Sequence, residues 1–220
     1  MKIFLDTANL KDIKYWNETG IVNGVTTNPT LLSKEGGDPK KLIKAICKVV
    51  SHGDVSVEVT ETDPKKVYKQ AKEIAALAKN VVVKIPCHKD YYAIIKKLVE
   101  EEIQINVTLV FTLLQSLFMC KLGVKYISPF IGRLDDIDSN GIELIEEIRV
   151  MIDEYSFLRT QVITASIRHV RHFHEALMAL SDVATVPIAV LEKAVKHPLT
   201  DQGMKKFLDD WKKLGIKQFP

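Results

Sequence analysis

Short runs of β-branched and apolar residues recur along the chain, and stretches with helical spacing separate them. The runs at Ile3–Asp6, Gly24–Thr27, Val55–Val59, Val81–Ile85, Gln104–Val110, Tyr126–Ser128, Gln161–Thr164 and Val183–Val186 predict eight strands. Val and Ile favour extended backbone, and a continuous apolar run suits a parallel strand covered on both faces. Between the strands, Asp38-Pro39 and Asp63-Pro64 read as N-caps followed by proline at the first helical position, where the missing N–H costs nothing. Val67, Ala71, Ile74 and Ala75 then recur at helical spacing, as do Ile145, Ile148 and Ile152. This rhythm predicts an α/β chain, a single (β/α)8 TIM barrel domain over 1–220, with a doubly wound sheet of fewer strands as the alternative. From Thr200 to Leu214, the residues Met204, Phe207, Leu208 and Trp211 share one face, which predicts an additional C-terminal helix, 200–214, beyond the eighth unit.

Composition narrows the class. With 220 residues, 46% hydrophobic and 27% charged, the chain has ample core material and no long disordered tract. A balance of 31 basic against 28 acidic residues gives a formal charge of +3, far from the concentrated basic surface of a nucleic-acid binder. Cys47, Cys87 and Cys120 lack Cys-x-x-Cys spacing, so neither a disulfide framework nor a zinc site is expected, and a reducing cytoplasm fits. The chain opens at once on strand-like residues without a signal-peptide pattern, and no apolar run approaches membrane-spanning length. A cytoplasmic protein with no nucleic-acid or membrane partner is the expectation.

Chemistry enters through Lys84, one lysine inside the apolar run Val81-Val82-Val83-Lys84-Ile85-Pro86. Period two sends Val82 and Lys84 to one face and Val81, Val83 and Ile85 to the other. Desolvating an ammonium is costly, so a buried lysine tends to become a neutral amine, which attacks carbonyls to form a Schiff base. Taken alone, this stretch favours the plainer reading of a lysine that snorkels to water from a strand end. In a barrel, inward residues near the carboxyl ends of the strands build the site. The same parity pairs Glu58 with Ser56, Asp6 with Phe4, Thr108 with Asn106, Ser128 with Phe130, and Ser166 with Thr164. Two carboxylates and a lysine at comparable strand positions are expensive to bury without a purpose.

At these residues the chain resembles the small-subunit transaldolase family, whose relatives include fructose-6-phosphate aldolases. The resemblance rests on seven segments in order: Leu5-Asp6-Thr7-Ala8, Gly24 to Thr30, Val83 to Pro86, Asn106 to Phe111, Ser128 to Arg133, Ala165-Ser166-Ile167-Arg168, and His197 to Asp201. It implies a metal-free transferase without a cofactor, with Lys84 as the Schiff-base lysine and Asp6, Glu58 and Thr108 handling protons. It implies a transaldolase of the non-oxidative pentose phosphate pathway, moving a dihydroxyacetone unit from sedoheptulose 7-phosphate or fructose 6-phosphate to glyceraldehyde 3-phosphate or erythrose 4-phosphate. The alternative is an aldolase that releases dihydroxyacetone. By the same resemblance, transaldolase-type relatives carry glutamate at position 58 and phenylalanine at 130, as here, where the aldolase type carries glutamine and tyrosine. Thr26, Asn28, Asn106, Ser128 and Phe130 would contact the sugar or orient Lys84. Arg133 and Arg168, assisted by Ser166, would hold the phosphate, since the guanidinium fork matches phosphate oxygens. Homo-oligomers, pentamers or decamers, are implied as well.

Other conspicuous features are expected to be structural. His169, His172 and His174 lack a zinc-binding spacing on one helical face and read as a solvated helix start. Gly36-Gly37 reads as a turn. Phe207 and Trp211 read as core or subunit contact.

Overall fold

The β-branched runs become eight parallel strands that close on themselves in chain order. In the computed structural model, which describes residues 1–215, these are β1 (Lys2–Asp6), β2 (Gly24–Thr26), β3 (Asp54–Glu58), β4 (Val81–Pro86), β5 (Ile105–Val110), β6 (Tyr126–Pro129), β7 (Gln161–Thr164) and β8 (Val183–Val186). The last five positions of the expected domain, 216–220, lie outside the described residues. Pairing of Lys2 to Leu5 with Val183 to Val186 closes the ring.

Helices follow every strand: α1 (Leu10–Glu18); α2 (Pro29–Glu35) and α3 (Pro39–Val49); α4 (Pro64–Ala75); a 3-10 turn and α5 (Tyr92–Glu100); α6 (Leu113–Leu122); α7 (Ile131–Asp135) and α8 (Gly141–Glu154); α9 (Val170–Met178); and α10 (Ile188–Ala194) with α11 (Pro198–Lys213). Asp38 and Asp63 cap α3 and α4 through their side chains, each with proline just inside, as their sequence predicts. Asn28-Pro29 and His197-Pro198 use the same device for α2 and α11. Gly36 and Gly37, both at positive φ, turn the chain between α2 and α3.

Two apolar layers result. Outward residues such as Val83, Ile85, Val107 and Ile127 pack under the helices in the larger one. Inside the barrel, Phe4, Val82, Tyr126, Ile163 and Val183 form a second cluster that fills its amino-terminal end. Gly24 makes room for this plug, because a Cβ there would lie 2.6 Å from the Phe4 ring. Tyr126 adds a polar lock below it, its hydroxyl donating to Asp54 at 2.6 Å. Inward positions above the plug, among them Thr26, Ser56, Lys84, Asn106 and Ser128, are polar, so the interior divides into a sealed floor and a polar upper layer.

One parity expectation fails. Ile163 belongs to the inner cluster, so Thr164 points outward, where its hydroxyl donates to Ser181 at 2.8 Å. Ser166 is therefore not brought inward by alternation with Thr164. α11 matches the predicted extra helix, starting two residues earlier, and none of its residues is buried. Phe207 is 73% exposed and belongs to no core. Among the described residues, no helix is long and apolar enough to cross a membrane.

Candidate active site

The carboxyl end of the barrel gathers most of the polar residues expected from the sequence. Lys84 is only 5% exposed. Its strand neighbours put Glu58 on one side and Asn106 on the other. The Lys84 Nζ lies 3.0 Å from Glu58 Oε2 and donates to the Thr27 carbonyl at 3.3 Å. The snorkelling alternative is thereby set aside: the amine points into the barrel and finds a carboxylate there.

Asp6 faces the same space from β1. It keeps some accessible surface, yet protein crowds it closely enough that desolvation dominates its titration. Burial raises its carboxyl above the ordinary value, against the opposing pull of the Lys84 charge and a hydrogen bond from Thr26, with the nearby Glu58 charge raising it further. Thr26 Oγ1 donates to Asp6 Oδ1 at 2.9 Å, and Thr26 also shares a 2.5 Å contact with Thr185 Oγ1. A hydroxyl has one proton. Since Thr26 gives its proton to Asp6, Thr185 must be the donor in the second bond, so protons along the row Thr185, Thr26, Asp6 all point toward the carboxylate.

Across the barrel, Ser128 Oγ donates to Asn106 Oδ1 at 2.7 Å and Asn106 Nδ2 donates to Ser56 Oγ at 3.1 Å. This row fixes the Asn106 amide beside Lys84. Thr108 is fully buried, and its hydroxyl has no hydrogen-bond partner among the described residues. Just beyond it, Leu109 takes φ 55° and the β5–β6 register slips between Val107 and Val110.

A cavity of about 140 Å³ opens above these groups, lined by Asp6, Thr26, Lys84 and Ser128 from the strands. Asn28, Phe130, Arg133, Ser166 and Thr185 complete it. Asn28 accepts from Leu31 N at the start of α2, so its amide N–H2 is the half it offers to a ligand. The Phe130 ring packs edge-on against Phe111 at 6.1 Å and presents no polar atom. Ser166 reaches the cavity through φ 61°, a left-handed kink that re-aims its side chain. Larger concavities lie elsewhere, one of about 550 Å³ between α2, α3 and α4 whose lining includes Glu58, and one of about 990 Å³ between α6 and α8. Size does not select the site; a converging set of buried ionisable groups does.

Arg168 sits apart from the cavity lining. Both its terminal nitrogens donate to the carboxylate of Asp136 at the end of α7. The loop that carries it is pinned to α7 by a histidine with no sequence-derived role. His172 Nε2 lies 2.7 Å from Asp135 Oδ2, while its Nδ1 accepts from the Arg168 backbone N–H at 3.3 Å. His172 is buried, not solvated as expected, because this bridge draws it inward. Burial lowers its pKa, with the adjacent His169 adding to the effect and Asp135 opposing it. His169 caps α9 by accepting from His172 N. Among the described residues, no group of three His, Cys, Asp or Glu side chains is placed to hold a metal ion.

Sequence reasoning missed Thr185. The signal was present, a threonine alternating with Val183 in an apolar strand, and the parity that flagged Ser56 applies to it equally.

Comparison with known proteins agrees with this architecture. Residues 3–218 match the family described as transaldolase/fructose-6-phosphate aldolase. A probable transaldolase of Lactiplantibacillus plantarum is 50% identical over 218 residues, covering 99% of this chain and all of that protein. Probable transaldolases of Petrotoga mobilis and Nitrosopumilus maritimus are 51% and 47% identical, with 97% of this chain and 96% of theirs covered in each case. A solved flavocytochrome b2 variant with sulfite bound superposes with a TM-score of 0.60 at 12% identity, over 84% of this chain and 56% of that one, and shares the barrel fold alone. With near-complete coverage at about half identity, the chain belongs to the transaldolase/fructose-6-phosphate aldolase family.

Proposed function

We propose that this protein is a transaldolase that carries a dihydroxyacetone unit on Lys84. The observation that bears most weight is one amine, buried between two carboxylates inside a barrel whose floor is sealed. In this reading Glu58, 3.0 Å from the amine, takes a proton from the Lys84 ammonium, freeing the amine to add to the C2 carbonyl of a ketose phosphate. Loss of water gives an iminium. Asp6 then takes the proton of the C4 hydroxyl as the C3–C4 bond breaks, and the bonding pair flows to the iminium nitrogen to give an enamine. The aldose leaves as an aldehyde. The enamine attacks an acceptor aldehyde, Asp6 returns the proton, and water releases the new ketose. Thr108, whose buried hydroxyl has no hydrogen-bond partner among the described residues, is assigned to holding the water used in forming and breaking the imine. Asn106, Ser128, Thr26 and Asn28 orient Lys84 and the sugar hydroxyls. Arg133 and Ser166 hold the phosphate together with Arg168.

The family description also names fructose-6-phosphate aldolase, in which water in place of an aldehyde ends the cycle. Phe130 supports the transferase, since its ring lines the cavity without a donor to hold a protonating water. The mechanism is tested by borohydride reduction with fructose 6-phosphate followed by intact mass measurement and peptide mapping. A dihydroxyacetone adduct on Lys84, absent in Lys84→Arg, is the expected result. An adduct elsewhere, or turnover retained by Lys84→Arg, overturns it, because a guanidinium cannot lose its proton to form the imine.

A homo-oligomer, pentamer or decamer, is part of this proposal. Met204, Phe207 and Leu208 on α11 are each more than half exposed and lie along one stripe, which a neighbouring copy would cover.

A further inference from the structure

Arg168 meets Asp136 through both ends of its fork, Nη1 to Oδ1 and Nη2 to Oδ2. A guanidinium takes a carboxylate and a phosphate through the same two parallel N–H bonds. The two anions therefore exclude one another at this arginine. The remaining nitrogen gives no second docking face, because the Arg168 stem runs across α7: a Cβ on Gly132 would lie 2.8 Å from Nε and 3.0 Å from Cδ. Arg133, the neighbour of Gly132 on α7, lines the cavity. Asp136 thus stands beside both arginines assigned to phosphate. Its carboxyl is held below the ordinary range, first by the hydrogen bonds from Arg168 and then by the charges of Arg168 and Arg133, over the opposing effect of burial. It stays ionised throughout the neutral range.

We propose that Asp136 is a built-in competitor for the donor's phosphate: its carboxylate occupies Arg168 in the unliganded enzyme, and a phosphorylated sugar must displace it. Asp136 then sets how strongly the site favours phosphorylated over unphosphorylated sugars. It has this role only if Arg168 binds phosphate, as assigned under the proposed function. Both partners of the pair are nearly half exposed, where water and salt compete with ion pairs and little is gained from them. Displacement is therefore easy, and removing the competitor changes affinity by a modest factor. The opposite role, a carboxylate that orients Arg168 for phosphate, predicts the opposite sign.

The test compares wild type, Asp136→Asn, Asp136→Ala and Arg168→Ala by calorimetric titration with inorganic phosphate and by KM for fructose 6-phosphate. Both Asp136 variants are expected to bind phosphate about two- to fivefold more tightly, with KM falling by a similar factor, since a weak exposed pair is all that is lost. Arg168→Ala is expected to weaken phosphate binding and raise KM. A damaged fold loosens binding and does not tighten it, so the direction separates competition from general disruption. If Arg168→Ala weakens binding while the Asp136 variants are unchanged or weaker, the competitor role is overturned and the phosphate role of Arg168 stands. If Arg168→Ala leaves phosphate affinity unchanged, the phosphate assignment itself falls, and the competitor role with it.

Discussion

Replacing Thr26 by valine removes one hydroxyl and keeps the shape of the side chain. In the structure that hydroxyl donates to Asp6 Oδ1 at 2.9 Å, with Thr26 itself buried. A hydrogen bond to a charged group contributes about 1.5–3 kcal/mol, so the variant disfavours the ionised carboxylate by an amount of that order. The neutral acid does not depend on this bond to the same degree. Removing an interaction that lowers the Asp6 pKa raises it further, so the acidic limb of the kcat/KM profile for fructose 6-phosphate cleavage moves to higher pH. Within the limb, the deficit corresponds to a loss of about ten- to a hundredfold at fixed pH. Above the shifted limb the rate recovers, because the base is ionised again. Thr26→Ser restores the donor and should return the wild-type profile. Thr185→Val removes only the proton that Thr185 gives to Thr26, so its shift should be smaller and in the same direction. The assay follows glyceraldehyde 3-phosphate release through a coupled reductase across the pH range, with acceptor saturating. A Thr26→Val profile that overlays wild type would show that Asp6 is not the base whose ionisation carries cleavage.

Asp6 also bears on stability. Its folded pKa lies above its ordinary value of 3.8, so its contribution to stability is fully present below that value and is lost as pH rises through the folded pKa. Asp6→Asn should therefore abolish turnover while raising the melting temperature at neutral pH, with the gain disappearing in melts near pH 3; a lower neutral melting temperature contradicts the sign. Phe130→Tyr should place a hydroxyl in the cavity and raise dihydroxyacetone release relative to transfer, and a tenfold change in that ratio needs about 1.4 kcal/mol, comparable to one hydrogen bond. If wild type cleaves fructose 6-phosphate as fast without acceptor as with it, the transferase assignment gives way to the lyase. Light scattering should give a mass well above twice 24.9 kDa, reduced by Phe207→Ser together with Leu208→Ser; a wild-type monomer at micromolar concentration refutes the assembly.

How much of this was legible in the sequence differs by strand. Lys84 and Glu58 were, because both sit in β-branched runs whose alternation continues unbroken to the carboxyl end, and the two prove to be direct cross-strand neighbours. Ser166 was reached by the wrong path. Counting back to Thr164 assumes extended backbone, but β7 ends at Thr164, Ala165 holds on through a single bridge to Phe130, and the chain then kinks at Ser166. Positive φ at a serine carries no local signature. The burial of His172 was hidden for a different reason: the Arg168 backbone is four residues away, but Asp135 lies at the end of α7, a distant element that only the closed barrel brings alongside. The ion pair between Arg168 and Asp136 spans the same gap, which is why the sequence could flag Arg168 as a candidate while its partner Asp136 could not be read from it.

The apolar plug of Phe4, Val82, Tyr126, Ile163 and Val183 has a kinetic meaning as well as a packing one. With the lower end filled, access to Lys84 is from the carboxyl end, and in the proposed transaldolase cycle the departing aldose, the incoming acceptor and the hydrolytic water would all share that passage. Under that proposal, an acceptor seated there would block the water that otherwise discharges the enamine. The choice between carbon and water at the intermediate is thus made partly by occupancy of a single doorway, and dihydroxyacetone leakage should fall hyperbolically as acceptor concentration rises, with half-suppression where the doorway is half filled.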